Sequence, residues 1–258
     1  MNAPQAHPCG AFLCKKFTLN QTLPLLRLYS QCVIIKTKRE PCGGECAAIG
    51  KTEEKTMEAS TVYFTDFRCP VGTSLTEKLR RLCLAAGIKN IDMDGKFVAI
   101  KIHFGEPGNL SFLRPNFAKV VADKVTSLGG RPFLTDCNTL YVGRRKHALE
   151  HLEAAQENGF SPLSTGCQII IADGLKGTDE VEVPVEGGEY VTAAKIGRAV
   201  MDADVFISLT HFKGHESTGF GGAIKNIGMG CGSRAGKMEQ HCSGKVSVNP
   251  KRCLRAAA

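Results

Sequence analysis

Residues 205–253 have the sequence VFISLTHFKGHESTGFGGAIKNIGMGCGSRAGKMEQHCSGKVSVNPKRC, and the interpretation of the chain starts from this stretch. Its first five residues are mostly large and apolar or β-branched, which predicts a buried strand. A glycine-rich segment follows, in which histidines, lysines and cysteines are densely spaced. A segment that only builds a core does not need so many reactive side chains, and glycines let the backbone approach a ligand closely. The stretch therefore predicts a strand followed by a functional loop.

Upstream of this stretch, strand-like and helix-like segments alternate from Met57 onward. Apolar runs predict further strands at residues 61–67, 97–104, 132–137 and 168–174. Helical periodicity and capping residues predict helices at residues 74–87, 115–129, 144–158 and 192–203. Short apolar strands spaced by helices are typical of a parallel sheet. We therefore predict one α/β domain, residues 57–245, with a mainly parallel sheet covered by helices on both faces.

Residues 1–56 differ in composition from the rest of the chain. No acidic residue precedes Glu40, whereas six lysines and arginines do. This composition is typical of an organelle transit peptide. A cleaved targeting segment, a disordered tail and translated sequence upstream of a true start at Met57 all fit it. Each of these alternatives places residues 1–56 outside the fold.

Composition favours some classes of partner over others. The net charge is +8, but half of the excess lies in residues 1–56, which leaves 25 basic and 21 acidic residues elsewhere. With no tryptophan and four tyrosines available for stacking, nucleic acid is not expected as a partner. No apolar run approaches the roughly 18 residues of a membrane span, so no membrane partner is expected. The twelve cysteines are scattered, which favours reduced thiols and a cytoplasmic location, with an organelle as the alternative.

Polar residues follow the ends of several predicted strands, where parallel sheets gather their ligands. The sequence therefore predicts one site that combines these strand ends with the glycine-rich loop. We predict catalytic roles for His103, Asp136, Lys225 and Asn226, with Asn138 close to them. Lys225 would neutralise an anionic ligand and Asn226 would orient it. We predict metal binding, or acid/base catalysis by the histidines, for His211, His215, Cys231 and Cys242. In the alternative, Lys225 and Asn226 only cap and solvate a helix while the histidines bond to loop carbonyls.

A basic run, RRKH at residues 144–147, begins one predicted helix. Cations oppose the dipole at a helix N-terminus, and an anion bound there would reverse the sign. We therefore predict that Arg144 and Arg145 bind an anionic cofactor or ligand, with Gly221 and Gly222 of the loop, the alternative being a solvated basic patch. The charged neighbours of His147 and His151 indicate that this histidine pair lies on a solvated helix face.

Three segments resemble a known family: THFKGHESTGFGGAIKNIGMGCGSRAGK, KIHFGEPGNLSFLRP and TDCNTLYVGRRKHALEHLEAAQENGF. The family is an uncharacterised prokaryotic one, domain of unknown function 362, often described as iron–sulfur or ferredoxin-like. Its members commonly continue into a ferredoxin module whose four cysteines hold a [4Fe–4S] cluster. Here VNPKRC at residues 248–253 supplies one such cysteine, and the sequence ends at Ala258. The resemblance thus implies that residues 246–258 are a truncated start of that module and that this chain holds no cluster.

Two functional hypotheses follow from the residues and the resemblance together. The resemblance implies a redox-associated protein that works with an iron–sulfur module or a redox partner protein, and the strand-edge residues add a single metal ion or a small anionic ligand. The alternative is a metal-assisted or lysine-assisted enzyme that acts on a small anionic substrate without any cluster. The two differ in whether the chemistry belongs to a cluster or to the side chains at the sheet edge.

Overall fold

The computed structural model describes residues 31–37, 61–189 and 191–241 of the chain. In chain order, the strands are β1 (Gln31–Thr37), β2 (Phe97–Lys101), β3 (Arg131–Asp136), β4 (Gln168–Ile171), β5 (Glu180–Pro184), β6 (Ala193–Gly197), β7 (Val205–His211), β8 (Lys213–His215) and β9 (Gly219–Gly221). The helices are α1 (Leu75–Ala85), α2 (Pro115–Ser127), α3 (Ala148–Glu157), α4 (Pro162–Thr165), α5 (Arg198–Asp202), α6 (Ala223–Gly228) and α7 (Arg234–His241). A short 3₁₀ helix spans Ile88–Asn90.

The main sheet has the strand order β1-β7-β2-β3-β4. Strands β7, β2, β3 and β4 run parallel, and in the centre of the sheet Ile100 lies opposite Leu134 on one side and Ile207 on the other. The predicted parallel α/β sheet is therefore confirmed. Because the four strands share one direction, their carboxyl ends meet at a single edge.

Helices cover both faces of this sheet, as predicted. On one face, α1 and α2 pack over a core that includes Val98, Ile100 and Ile207. On the other face, Ala99 and Phe133 form a smaller apolar cluster that packs against α5. Consecutive residues of β2 thus point to opposite cores, which is the side-chain alternation of a strand buried on both faces. The helix starts match the capping signals, since Ser74 caps α1 by accepting the Glu77 N–H and α2 begins at Pro115.

Three predicted elements are wrong in detail. Residues 61–67 form no strand, and Tyr63 uses its apolar surface to pack on the core instead of pairing. Residues 192–203 are not one helix, because β6 pairs antiparallel with β5 and only α5 remains helical. Gly197 lies where a Cβ would approach Cys137 Sγ to 2.7 Å, so close packing ends the hairpin there. Helix α3 begins at Ala148 rather than at residue 144, with His147 as its N-cap.

The ends of the chain are described only in part. Of residues 1–56 the structure describes Gln31–Thr37, which pair antiparallel with β7 at the edge of the sheet. The rest of that segment lies outside the described residues, and so does the prediction that it is disordered. Residues 242–258, with Cys242, Cys253 and the predicted start of a ferredoxin module, also lie outside them. In the described ranges, no helix combines the length and the apolar character that a membrane crossing needs.

We expect the core of the sheet to dominate stability. Leu134 in β3 is completely buried, so Leu134→Ala should lower the free energy of unfolding by about 2–5 kcal/mol. Leu163 in α4 is 97% exposed, and Leu163→Ala should change it by less than about 0.5 kcal/mol. Urea denaturation of both variants checks this pair, and equal losses would contradict the assignment of the core.

Candidate functional site

A cleft of about 600 Å³ lies at the carboxyl edge of the parallel strands. This volume is within the range of roughly 300–1,000 Å³ that small-molecule sites occupy. Its lining includes eight of the predicted site residues: His103, Asp136, Arg145, His211, Gly221, Gly222, Lys225 and Asn226. The strand ends and the glycine-rich loop therefore share one cavity, while the roles of these residues stay predictions.

A buried ion pair lies at the base of the cleft. Lys101 Nζ is 2.9 Å from Asp136 Oδ1, and the two side chains are only 1% and 4% exposed. The ammonium also donates to Asn226 Oδ1 at 2.9 Å. Gly230 closes over it, and a Cβ there would lie 2.7 Å from the nitrogen. Lys101 thus joins β2, the end of β3 and the glycine-rich loop.

Asn226 fixes the loop to the strand ends. Its amide nitrogen lies 2.9 Å from Ser208 Oγ and 3.0 Å from Thr210 Oγ1, and it donates to Leu209 O at 3.2 Å. Its carbonyl oxygen accepts from Lys101. The oxygen and the nitrogen of the amide are therefore both hydrogen-bonded to other protein groups, so Asn226 orients the loop in this structure.

Asp136 is held as a carboxylate by the charges around it. Burial alone would raise its pKa, but the neighbouring cations Lys101 and Arg145 outweigh burial and hold the pKa well below its usual range. Arg145 reaches the second oxygen of Asp136 at 3.4 Å and also pairs with Glu106 through Nε at 2.8 Å. Each carboxylate of the cleft base thus has a cation beside it.

His103 provides a neutral imidazole at the wall of the cleft. Its Nδ1 accepts the Gly105 N–H at 2.9 Å, which leaves Nε2 to carry the proton of the neutral ring. The side chain is exposed to the space inside the cleft, and the walls of the cleft surround it. This desolvation, with a further contribution from Arg145, lowers the pKa of His103 to about 4. His103 is therefore neutral at physiological pH and can donate a hydrogen bond from Nε2.

His151 is completely buried, and its interpretation as part of a solvated helix face is wrong. Helix α3 turns His151, Ala154 and Ala155 inward. The imidazole Nδ1 lies 3.4 Å from Asn138 Oδ1, and Nε2 lies 3.9 Å from Asp136 Oδ2. Burial lowers the pKa of His151 to about 3, so the ring is neutral.

Asn138 lies behind the cleft rather than in its lining. It is fully buried and donates to Asp173 Oδ1 from its backbone at 2.9 Å and from its side chain at 2.8 Å. Burial raises the pKa of Asp173 to about 6. Asn138 thus links the end of β3 to the residues that follow β4. It also contacts His151, whose ring lies beside the Asp136 carboxylate.

The two arginines of the basic run lie in different environments. Arg144 is on the surface and forms ion pairs with Glu153 and Glu157 of α3. Arg145 is 7% exposed and lines the cleft. The N-cap of α3 is His147, whose Nδ1 accepts the Glu150 N–H, so the side chain at this helix start is already bonded within the helix. Of the two, Arg145 is the one that a ligand in the cleft can reach.

Of the predicted metal ligands that the structure describes, His211 lines the cleft, whereas His215 and Cys231 do not. Cys231 is buried, and burial raises the pKa of its thiol to about 11, which disfavours the thiolate that metals bind. His215 contacts Lys225 instead. Cys242 lies outside the described residues. Within the described part of the chain no three His, Cys, Asp or Glu side chains could hold a metal ion, and the four thiolates that a [4Fe–4S] cluster requires do not meet there.

Several residues of the cleft were not predicted from the sequence. They are Lys101, Glu106, Tyr141, Lys213, Lys237 and His241. A signal existed for Lys101, because a lysine inside the apolar run of 97–104 must be paired if that run is a buried strand. The others follow from the way in which loops after different strands fold over one edge.

We expect the Lys101–Asp136 pair to be strongly coupled. Removing one partner leaves a buried unpaired charge, so Lys101→Met or Asp136→Asn should each cost about 3–5 kcal/mol of unfolding free energy. The double variant should cost at least about 1 kcal/mol less than the sum. The exposed pair Lys119–Asp123 on α2 is the matched control, with a coupling of at most about 0.5 kcal/mol. Equal couplings in the two denaturation cycles would refute the role of the buried pair.

The buried His151 should make the fold sensitive to acid. Since its pKa is about 3, against 6.5 when unfolded, the unfolded chain binds more protons than the folded chain between pH 6.5 and 3. Stability should therefore fall as the pH falls through this window, by up to about 1.4 kcal/mol per pH unit from this histidine. The lowered pKa of His103 acts in the same direction, but its ring is exposed to the cleft, so solvent screening makes its contribution smaller. Asp173, with its raised pKa of about 6, offsets part of this below pH 6.

Urea denaturation of wild type and His151→Gln at pH 7, 6 and 5 measures this effect. The variant lacks one buried titrating ring, so its slope of stability against pH should be smaller, by an amount that approaches about 1.4 kcal/mol per unit only below pH 6.5. Parallel slopes would show that His151 does not titrate between the folded and unfolded states.

Comparison with known proteins places these residues in a family. Residues 98–255 match the family described as domain of unknown function (DUF362). A thylakoid-associated protein from Synechocystis sp. is 29% identical over 168 residues, which cover 61% of this chain and 46% of that protein, so the chain spans about half the length of this curated relative. No solved structure matches the chain. Because the family match covers more than half of the chain and every residue of the cleft, the chain belongs to the DUF362 family.

Proposed function

We propose that the cleft binds a small anionic organic molecule, a carboxylate or a phosphate ester. The observation that carries this proposal is the charge of the lining. The cleft is lined by the cations Lys101, Arg145, Lys213 and Lys237, by a further lysine, Lys225, and by only two carboxylates, Glu106 and Asp136. A concave site with excess positive charge concentrates anions and lowers the cost of desolvating them.

The charges are divided between the base of the cleft and its mouth. At the base, Lys101 and Arg145 neutralise Asp136 and Glu106. At the mouth, Lys213 and Lys225 form no ion pair with any residue that the structure describes; Lys213 donates to Gly214 O at 3.4 Å and Lys225 contacts His215. Lys213 is therefore the cation with which an anion at the mouth would pair, and Lys225 lines the same part of the cleft.

The neutral rings of the cleft add hydrogen-bonding and proton-transfer capacity. His103 presents Nε2–H, and partial burial together with Lys213 lowers the pKa of His211. A neutral imidazole close to a bound anion can act as an acid or a base at pH 7. This combination of cations and neutral histidines supports a lysine-assisted enzyme acting on the bound anion. The redox association that the family resemblance implies stays a prediction, since its cysteine at position 253 lies outside the described residues.

Calorimetry and thermal unfolding with inorganic phosphate and with malonate test this proposal. Each anion should raise the unfolding temperature more than sodium chloride of equal ionic strength, because a ligand at 100 times its Kd stabilises the fold by about 2.7 kcal/mol. Lys213→Met should weaken binding by about tenfold, the loss of one charged hydrogen bond. Lys119→Met removes an exposed lysine on α2 and should leave the affinity unchanged.

Equal affinities in the Lys213→Met and Lys119→Met variants would contradict the proposed site. So would a rise in unfolding temperature that sodium chloride reproduces, since that would report general screening rather than binding.

A further inference from the structure

The hydrogen bonds of His215 define which of its nitrogens carries the proton. His215 ends β8, and its Nδ1 accepts the backbone N–H groups of Ser217 and Thr218, both at 3.3 Å. A ring nitrogen that accepts a hydrogen bond carries no proton, so the neutral imidazole has its proton on Nε2. Nε2 of His215 is therefore a donor.

The partner of this donor is Lys225 Nζ. An ammonium group has three donors and no acceptor, so Nε2–H opposite a charged lysine would place a donor against a donor. The contact is satisfied when Lys225 is a neutral amine whose lone pair accepts from Nε2–H. A neutral amine is also the nucleophilic form of lysine.

The groups around Lys225 also favour its neutral amine. Partial burial and the positive charge of Lys213 lower the pKa of Lys225, opposed by Glu216. Lys213 and Lys225 line the same cleft, at the mouth where an anion would enter. A second cation beside a reactive lysine both favours the neutral amine and attracts an anionic substrate.

We propose that Lys225 is a nucleophilic amine that condenses with the carbonyl group of a small anionic ligand, an oxo acid or a phosphorylated aldehyde or ketone. This deepens the proposed function and rests on it only for the negative charge of the ligand. The amine lone pair forms a bond to the carbonyl carbon while the π electrons of the carbonyl move to its oxygen. Two protons from the nitrogen leave with that oxygen as water, and the product is an imine. No oxidant or reductant is consumed.

His215 is a positioning residue in this scheme. Its Nε2–H holds the amine until the carbonyl replaces it, and the same N–H is then free to donate to the oxygen that gains negative charge. In contrast, Lys101 keeps its ammonium against Asp136 at the base of the cleft and serves structure.

Reductive trapping tests the proposal with the full chain. The protein is incubated with glyoxylate or with glycolaldehyde phosphate, sodium cyanoborohydride reduces any imine to a stable amine, and peptide mass spectrometry locates the adduct. We expect Lys225 to be labelled by both probes at least about tenfold faster than the exposed Lys89, because its lowered pKa leaves more of it as the neutral amine. Uncharged glycolaldehyde should label Lys225 more slowly than its phosphate.

Two controls keep the result independent of folding. In wild type, malonate should protect Lys225 from glyoxylate without protecting Lys89. Lys225→Arg should lose the adduct, whereas Lys119→Arg should keep it. His215→Ala should move the pH at which trapping is half-maximal upward, because the donor that favours the neutral amine is gone.

The outcomes separate the two proposals. Labelling spread evenly over surface lysines, with malonate still binding in the cleft, would overturn the role of Lys225 as nucleophile and leave the proposed function standing. Preferential labelling of Lys225 that glycolaldehyde achieves as fast as its phosphate would overturn the anionic ligand and leave the nucleophile standing.

Discussion

The buried contact between Lys101 and Asp136 is the constraint on which the rest of the site depends. Two charges removed from water are tolerated only when each has a partner and its remaining hydrogen-bonding capacity is used. Lys101 meets this condition only if β2 and β3 end in register and Asn226 lies over both. The position of the glycine-rich loop is therefore tied to the order of the strands beneath it.

This constraint also explains how charge is distributed in the cleft. Asp136 is matched by Lys101 and Arg145, and Arg145 in turn pairs with Glu106. The base of the cleft is close to neutral as a result, and the histidines next to it have lowered pKa values and stay uncharged. Lys213 adds positive charge at the mouth, where it can meet a ligand without disturbing the buried pair.

The parallel sheet and the single edge could be predicted because they depend on local patterns, namely apolar runs, capping residues and the shared direction of parallel strands. The predictions were wrong where tertiary contacts determine the local structure or the buried face of a helix. Residues 61–67 have strand-like composition but pack on the core through Tyr63, and His151 lies among charged neighbours yet faces inward. Which face of a helix is buried depends on the sheet that it meets, and no local pattern contains that information. Lys101 was overlooked because an apolar run normally buries no charge.

The glycine-rich loop serves two purposes that its sequence alone does not separate. Gly230 is required by packing, because any side chain would strike the Lys101 ammonium, whereas Gly221 and Gly222 line the cleft. Between them, Asn226 anchors α6 to β7 through its amide, and Lys225 is its neighbour in sequence. The rigid anchor therefore places Lys225 at a defined distance from the strand ends. A nucleophile benefits from such an arrangement, since a reactive group that is already in position loses little freedom when its substrate binds.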